Sequence, residues 1–166
     1  MLSTFIIENF LLVRIALVVG AIVCLALAAV LLWIGRTGQR IAIAISAIAA
    51  LAVLLLTLTP DKYPIPAVTC SFDPAYFYND EFNIVLFLLP ALFAVVATRR
   101  PIVVLAGGIG LSALIELVQS LTLALGRRCD LGDWLANSTG TVIGVLVAVV
   151  LMAVIRRVRR RRTDNQ

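Results

Sequence analysis

The chain has no histidine, and only 14% of its 166 residues are charged. The missing histidine, together with the lack of any CxxC pair, excludes a zinc site, and it excludes a Ser-His-Asp triad and a histidine general base. The shortage of charge excludes a soluble fold, because a soluble domain that is 62% apolar could not hide so much apolar surface. Cysteine is scarce too: there are three, with no CxxC pair. The N-terminal segment lacks the basic n-region of a cleavable signal, carrying Glu8 and a late Arg14 instead, and the run that follows is too long for an h-region. With no internal repeat and no soluble second domain, residues 1–166 read as a single membrane domain.

What is present is hydrocarbon in long blocks. Apolar segments run over 15–34, 41–59, 82–98, 102–125 and 134–155. A helix needs about 20 apolar residues to cross the bilayer core, with ~17 as a lower bound, so the third segment, interrupted by Pro90, is the weakest span. The runs do not alternate, so helices rather than barrel strands must satisfy the backbone in lipid. The expected fold is all-α, a polytopic transmembrane helical bundle of about five spans.

Arginine placement orients the bundle. Arg36 and Arg40 lie between spans one and two, Arg99 and Arg100 between three and four, and a run from Arg156 to Arg162 follows span five. All three groups fall on one side, which the positive-inside rule makes cytoplasmic. The expected location is the inner or plasma membrane, multi-pass, with the N-terminus outside and the tail 156–166 in the cytoplasm. Stop-transfer arginines account for that tail without nucleic acid. Attraction to anionic headgroups, at ~1 kcal/mol per basic residue near the surface, suits it better.

The outside loops then hold two of the cysteines, Cys70 and Cys129, in a compartment where disulfides persist. A Cys70–Cys129 bridge would clip the long loop 60–81 to the turn 126–133. Two free thiols are the alternative. Cys24, inside span one, reads as a small apolar residue.

The polar residues of the last two spans gather around that turn. Glu116 and Gln119 are three apart and share a helix face. A carboxylate in a span costs a few kcal/mol and ordinarily faces a partner, a cavity or a substrate. Asp130 can cap span five and suits the dipole there. Asp133, Asn137, Gly140 and Gly144 form one stripe, and the two glycines make a small-xxx-small surface for a neighbouring helix. Trp134 belongs at the water interface. The last two spans should form an antiparallel hairpin, with Glu116, Gln119, Asp133 and Asn137 at similar depth below Arg127 and Arg128. Such a cluster can lock the hairpin, bind a polar head, or catalyse. Paired carboxylates serve as acid and base, but no nucleophile, metal-ligand set or cofactor motif accompanies them.

These residues resemble the VanZ-like family of small bacterial membrane proteins. The likeness is carried by Asn83 before an apolar run, Glu116-x-x-Gln119, Arg127-x-x-Asp130-x-x-Asp133 and Asn137-x-x-Gly140 with Gly144, across about residues 82–155. The connection SLTLALGR stands where a shorter, proline-containing turn is usual. The resemblance implies an envelope role related to resistance to teicoplanin, a glycopeptide that binds peptidoglycan precursors. It nominates Glu116, Gln119, Arg127, Asp130, Asp133 and Asn137 as the functional set. The lipid bilayer and a lipid-linked envelope precursor are the expected partners.

Overall fold

A computed structural model of the chain describes residues 10–60, 70–71, 81–126 and 129–164. In chain order these form α1 (Phe10–Trp33), α2 (Arg36–Leu58), the short strand β1 (Cys70–Ser71), α3 (Glu81–Thr98), α4 (Pro101–Leu121), a 3-10 turn (Leu123–Leu125), the short strand β2 (Cys129–Asp130) and α5 (Leu131–Asp164). Four helices are long and apolar enough to cross a membrane, and α3 is a shorter apolar helix. Large apolar side chains such as Val18, Ile22, Ile48, Leu51, Leu55, Ile102, Leu114 and Val150 point outward. Water would not tolerate that much contiguous apolar surface, whereas lipid chains solvate it. The protein is an all-α membrane protein.

The short helix α3 is the centre of the bundle. Its Phe87, Ala91, Leu92, Phe93, Val95 and Val96 are buried, and it touches α1, α2, α4 and α5. In lipid there is no hydrophobic drive between helices, so the closest packing wins. That packing comes from α5, whose small-residue stripe lies against α3. A Cβ added at Gly140 would overlap the carbonyl of Ile84, and one at Gly144 would stand 2.5 Å from the carbonyl oxygen of Leu88 and 3.1 Å from the Cβ of Ala91. The most extensive helix pairing is therefore α3 with α5. The expected α4–α5 hairpin is present but secondary.

One boundary differs from the sequence expectation. Span four stops at Leu121 rather than 125, where the Thr122 N–H bonds to Val118 O and the chain tightens into the 3-10 turn that closes on Gly126 at φ 63°. Beyond the last apolar segment the chain stays helical: α5 runs unbroken for 34 residues to Asp164. At 1.5 Å per residue it is about 50 Å long, well beyond the ~30 Å apolar core. Its arginines also lie toward the helix C-terminus, where positive charge is favourable.

The opposite end is tied by a small parallel ladder that pairs Cys70 with Cys129 and Ser71 with Asp130. A disulfide joins the two cysteines, with their Cα atoms 4.6 Å apart.

Candidate functional site

The site forms where α4 ends and α5 begins. Glu116 projects from the last turns of α4, and its Oε2 accepts the backbone N–H of Asp130 at 2.8 Å. The Asp130 Oδ1 in turn accepts the Gly132 N–H at 2.8 Å. Asp130 thus caps α5, satisfying one of the first-turn amides that no helical carbonyl reaches. The chain links a carboxylate on α4, a peptide N–H in β2 and the N-terminus of α5. Asp133 stands in the first turn of α5, where the dipole favours its charge.

Beside this chain is a cavity of about 220 Å³, lined by Ser71, Ala113, Glu116, Asp130, Leu131 and Trp134, with the disulfide at its edge. It is smaller than the ~300–1,000 Å³ of drug-sized ligand sites, so a headgroup-sized fragment suits it better than a whole glycopeptide. One wall is the Glu116 carboxylate. Another is Trp134, whose indole Nε1 is itself closed to solvent and has no acceptor among the described residues.

Asn137 lies one helical turn beyond Trp134 and is only 2% exposed. Its side-chain Oδ1 also has no partner among the described residues, while its main-chain carbonyl accepts the Thr141 hydroxyl at 3.0 Å. Gln119 is placed differently from its neighbour Glu116. It is 4% exposed, and its Nε2 donates to the Thr57 carbonyl at 2.8 Å. Thr57 sits in the last turn of α2, where carbonyls lack helical partners. Gln119 therefore ties α4 to α2 rather than lining the cavity. Arg127 and Arg128 lie outside the described residues. Among the described residues, no group of three or more cysteines and carboxylates is placed to hold a metal ion.

Gln119→Leu should remove one interhelical hydrogen bond and little else. Such bonds average about 0.6 kcal/mol in membrane bundles and reach ~1.7. The expected result is a small fall in the melting temperature of detergent-purified protein. A fall as large as that of a core glycine variant would contradict this assignment.

Sequence reasoning did not find Ser71 or Thr57, and it gave Trp134 only an interfacial role. The signals were faint: Ser71 follows a cysteine that pairs across the site, and Trp134 stands three residues before Asn137 on the same helix face. Nothing in the sequence marked Thr57 as the partner of a glutamine 62 residues away.

A family model described as VanZ/LLP1 matches residues 4–153. No curated protein and no solved structure matches the chain.

Proposed function

The chain belongs to the VanZ/LLP1 family, and we propose that it acts at the cell envelope in a role related to glycopeptide resistance, by recognising the polar head of a lipid-linked envelope component. The observation that carries this reading is the cavity of about 220 Å³ lined by Glu116, Asp130 and Trp134, beside the Glu116–Asp130 hydrogen bond. A polar head seated there would meet Glu116 and the ring of Trp134. In the proposal Arg127 contacts an anionic group and Asp133 orients that arginine. The orientation fits as well: with the arginine end in the cytoplasm, the cavity opens on the outer side, where glycopeptides and lipid-linked precursors meet.

The competing reading is structural and has its own observation, the Glu116–Asp130 bond that fastens α4 to α5. Two variants separate the readings. Glu116→Gln keeps an oxygen that can accept the Asp130 N–H but removes the charge, and Trp134→Phe keeps an aromatic side chain but reshapes the cavity wall. Teicoplanin susceptibility would be measured in a deletion strain carrying wild type, Glu116→Gln, Trp134→Phe or Asn137→Ala, with membrane abundance matched. Recognition predicts that wild type protects and that the variants lose most of that protection at equal abundance. If the variants protect like wild type, or fail only by falling in abundance, the cluster is a lock.

A further inference from the structure

At the other end of the bundle a second cavity, of about 240 Å³, lies between the α3–α4 turn, the start of α2 and the last turns of α5. Its lining includes Arg99, Arg156 and Arg159 together with Gly35, Leu32 and Met152, with no carboxylate among the described residues. Three guanidinium groups around one small space repel each other. Burial and the neighbouring charges of Arg156 and Arg159 hold the Arg99 guanidinium below its ordinary pKa. The only described carboxylate on the residues following Arg156 is Asp164, at the far end of α5.

The backbone is also arranged at some cost. Arg99 occupies the left-handed region at φ 60°, and it is the one described non-glycine residue to do so. Its N–H closes α3 on the Val95 carbonyl at 2.9 Å. Glycine performs that closing role without a Cβ penalty and is the usual choice. Here an arginine is held there instead, and the consequence is a guanidinium at the cavity wall. Across the cavity, Gly35 precedes α2 with no side-chain cap, so the first-turn amides of that helix begin at the same space.

Arg159 is fixed before any ligand arrives. Its Nη2 donates to the Leu32 carbonyl at 3.2 Å and to the Trp33 carbonyl, the orphan acceptors at the end of α1. Its guanidinium also lies 5.3 Å from the centre of the Trp33 ring, with that of Arg162 at 5.1 Å. A pre-positioned guanidinium fork with spare N–H groups is the group best matched to tetrahedral oxyanions.

We infer that the Arg99–Arg156–Arg159 cavity is a binding site for a phosphate group. The site lies where the apolar part of α5 passes into its arginines, so the phosphate can belong to an anionic lipid headgroup or to a soluble phosphate. This site is separate from the Glu116 cavity and does not depend on what that cavity binds.

The test uses full-length protein in a neutral detergent. Its melting temperature is followed against short-chain phosphatidylglycerol and, separately, against inorganic phosphate, with sodium chloride at matched ionic strength as the control. Wild type is compared with Arg99→Gln/Arg156→Gln and with Arg160→Gln/Arg161→Gln, which removes the same charge from α5 outside the cavity. The expected result is saturable stabilisation of wild type and of the Arg160/Arg161 variant. In the Arg99/Arg156 variant the apparent affinity should be at least about tenfold weaker, as loss of two charge-assisted contacts implies. Stabilisation by the lipid alone identifies a headgroup; stabilisation by inorganic phosphate identifies a soluble anion. Should the double variant fail to fold, Arg99→Lys keeps the charge and removes the fork, and it should bind several-fold more weakly than wild type. Equal responses from both double variants, equal responses from wild type and Arg99→Lys, or stabilisation no greater than that by chloride would overturn the assignment.

Discussion

Gly140→Leu should nearly abolish accumulation of folded protein in the membrane. Even a Cβ at this position would overlap the main-chain carbonyl of Ile84, and a leucine side chain adds three more carbons to a space that already holds backbone. A backbone obstacle cannot swing aside as a side-chain tip can, so α3 and α5 must separate. Those two helices form the principal pairing of the bundle. Overpacking ordinarily costs about 1–3 kcal/mol, and a collision with backbone at the central contact belongs at or above the upper end of that range. Gly144→Leu should behave similarly against Leu88 and Ala91. The control is internal: added Cβ atoms at Gly107 and Gly110 on α4 meet nothing within 4 Å. Alanine there should be neutral, or stabilising by up to ~1 kcal/mol through helix propensity. Membrane abundance by blot, with melting temperature in detergent, checks the series. A Gly140→Leu protein with wild-type abundance and melting would refute the α3–α5 packing.

That contrast also marks what the sequence could disclose. The spans, the cap at Asp130 and the stripe through Asn137, Gly140 and Gly144 were legible because each follows from a local rule: run length, capping chemistry, helical spacing. Which helix the stripe faces was not legible. Helices that are apolar all round carry no marked face, so periodicity could not place the short, proline-containing α3 at the centre. Close approach decided it, and close approach is visible only in three dimensions. Glu116 and Gln119 share a face by spacing, yet one bonds to Asp130 and the other to Thr57, because two different neighbours meet that face. The continuation of α5 through the arginines was in principle readable. No glycine or proline interrupts residues 156–164, and arginine is a good helix former.

Replacing Cys70 and Cys129 together by serine should loosen the Glu116 end of the bundle and leave the rest standing. The two cysteines are 59 residues apart in sequence. A covalent loop of that size is worth about 4 kcal/mol when the unfolded chain is free. In a bilayer α2, α3 and α4 stay inserted, so much of that loop is already restrained and the effect should be smaller. What the bond holds locally is the ladder pair Ser71–Asp130, and with it the Asp130 N–H that Glu116 accepts. The variant should therefore melt several degrees lower, and the response of the Glu116 site should weaken with it. Thiol labelling checks the premise before any variant is made. Cys24 is the free cysteine beside the bonded pair, so denatured, never-reduced protein should take one maleimide, rising to three after reduction because the chain has three cysteines. Three labels without reductant from native membranes would refute the bridge. The outcome also bears on orientation. Disulfides persist in oxidising compartments and not in the cytosol, so one label places the Glu116 cavity on the outer side. Three labels would remove that support and leave the arginines to argue orientation alone.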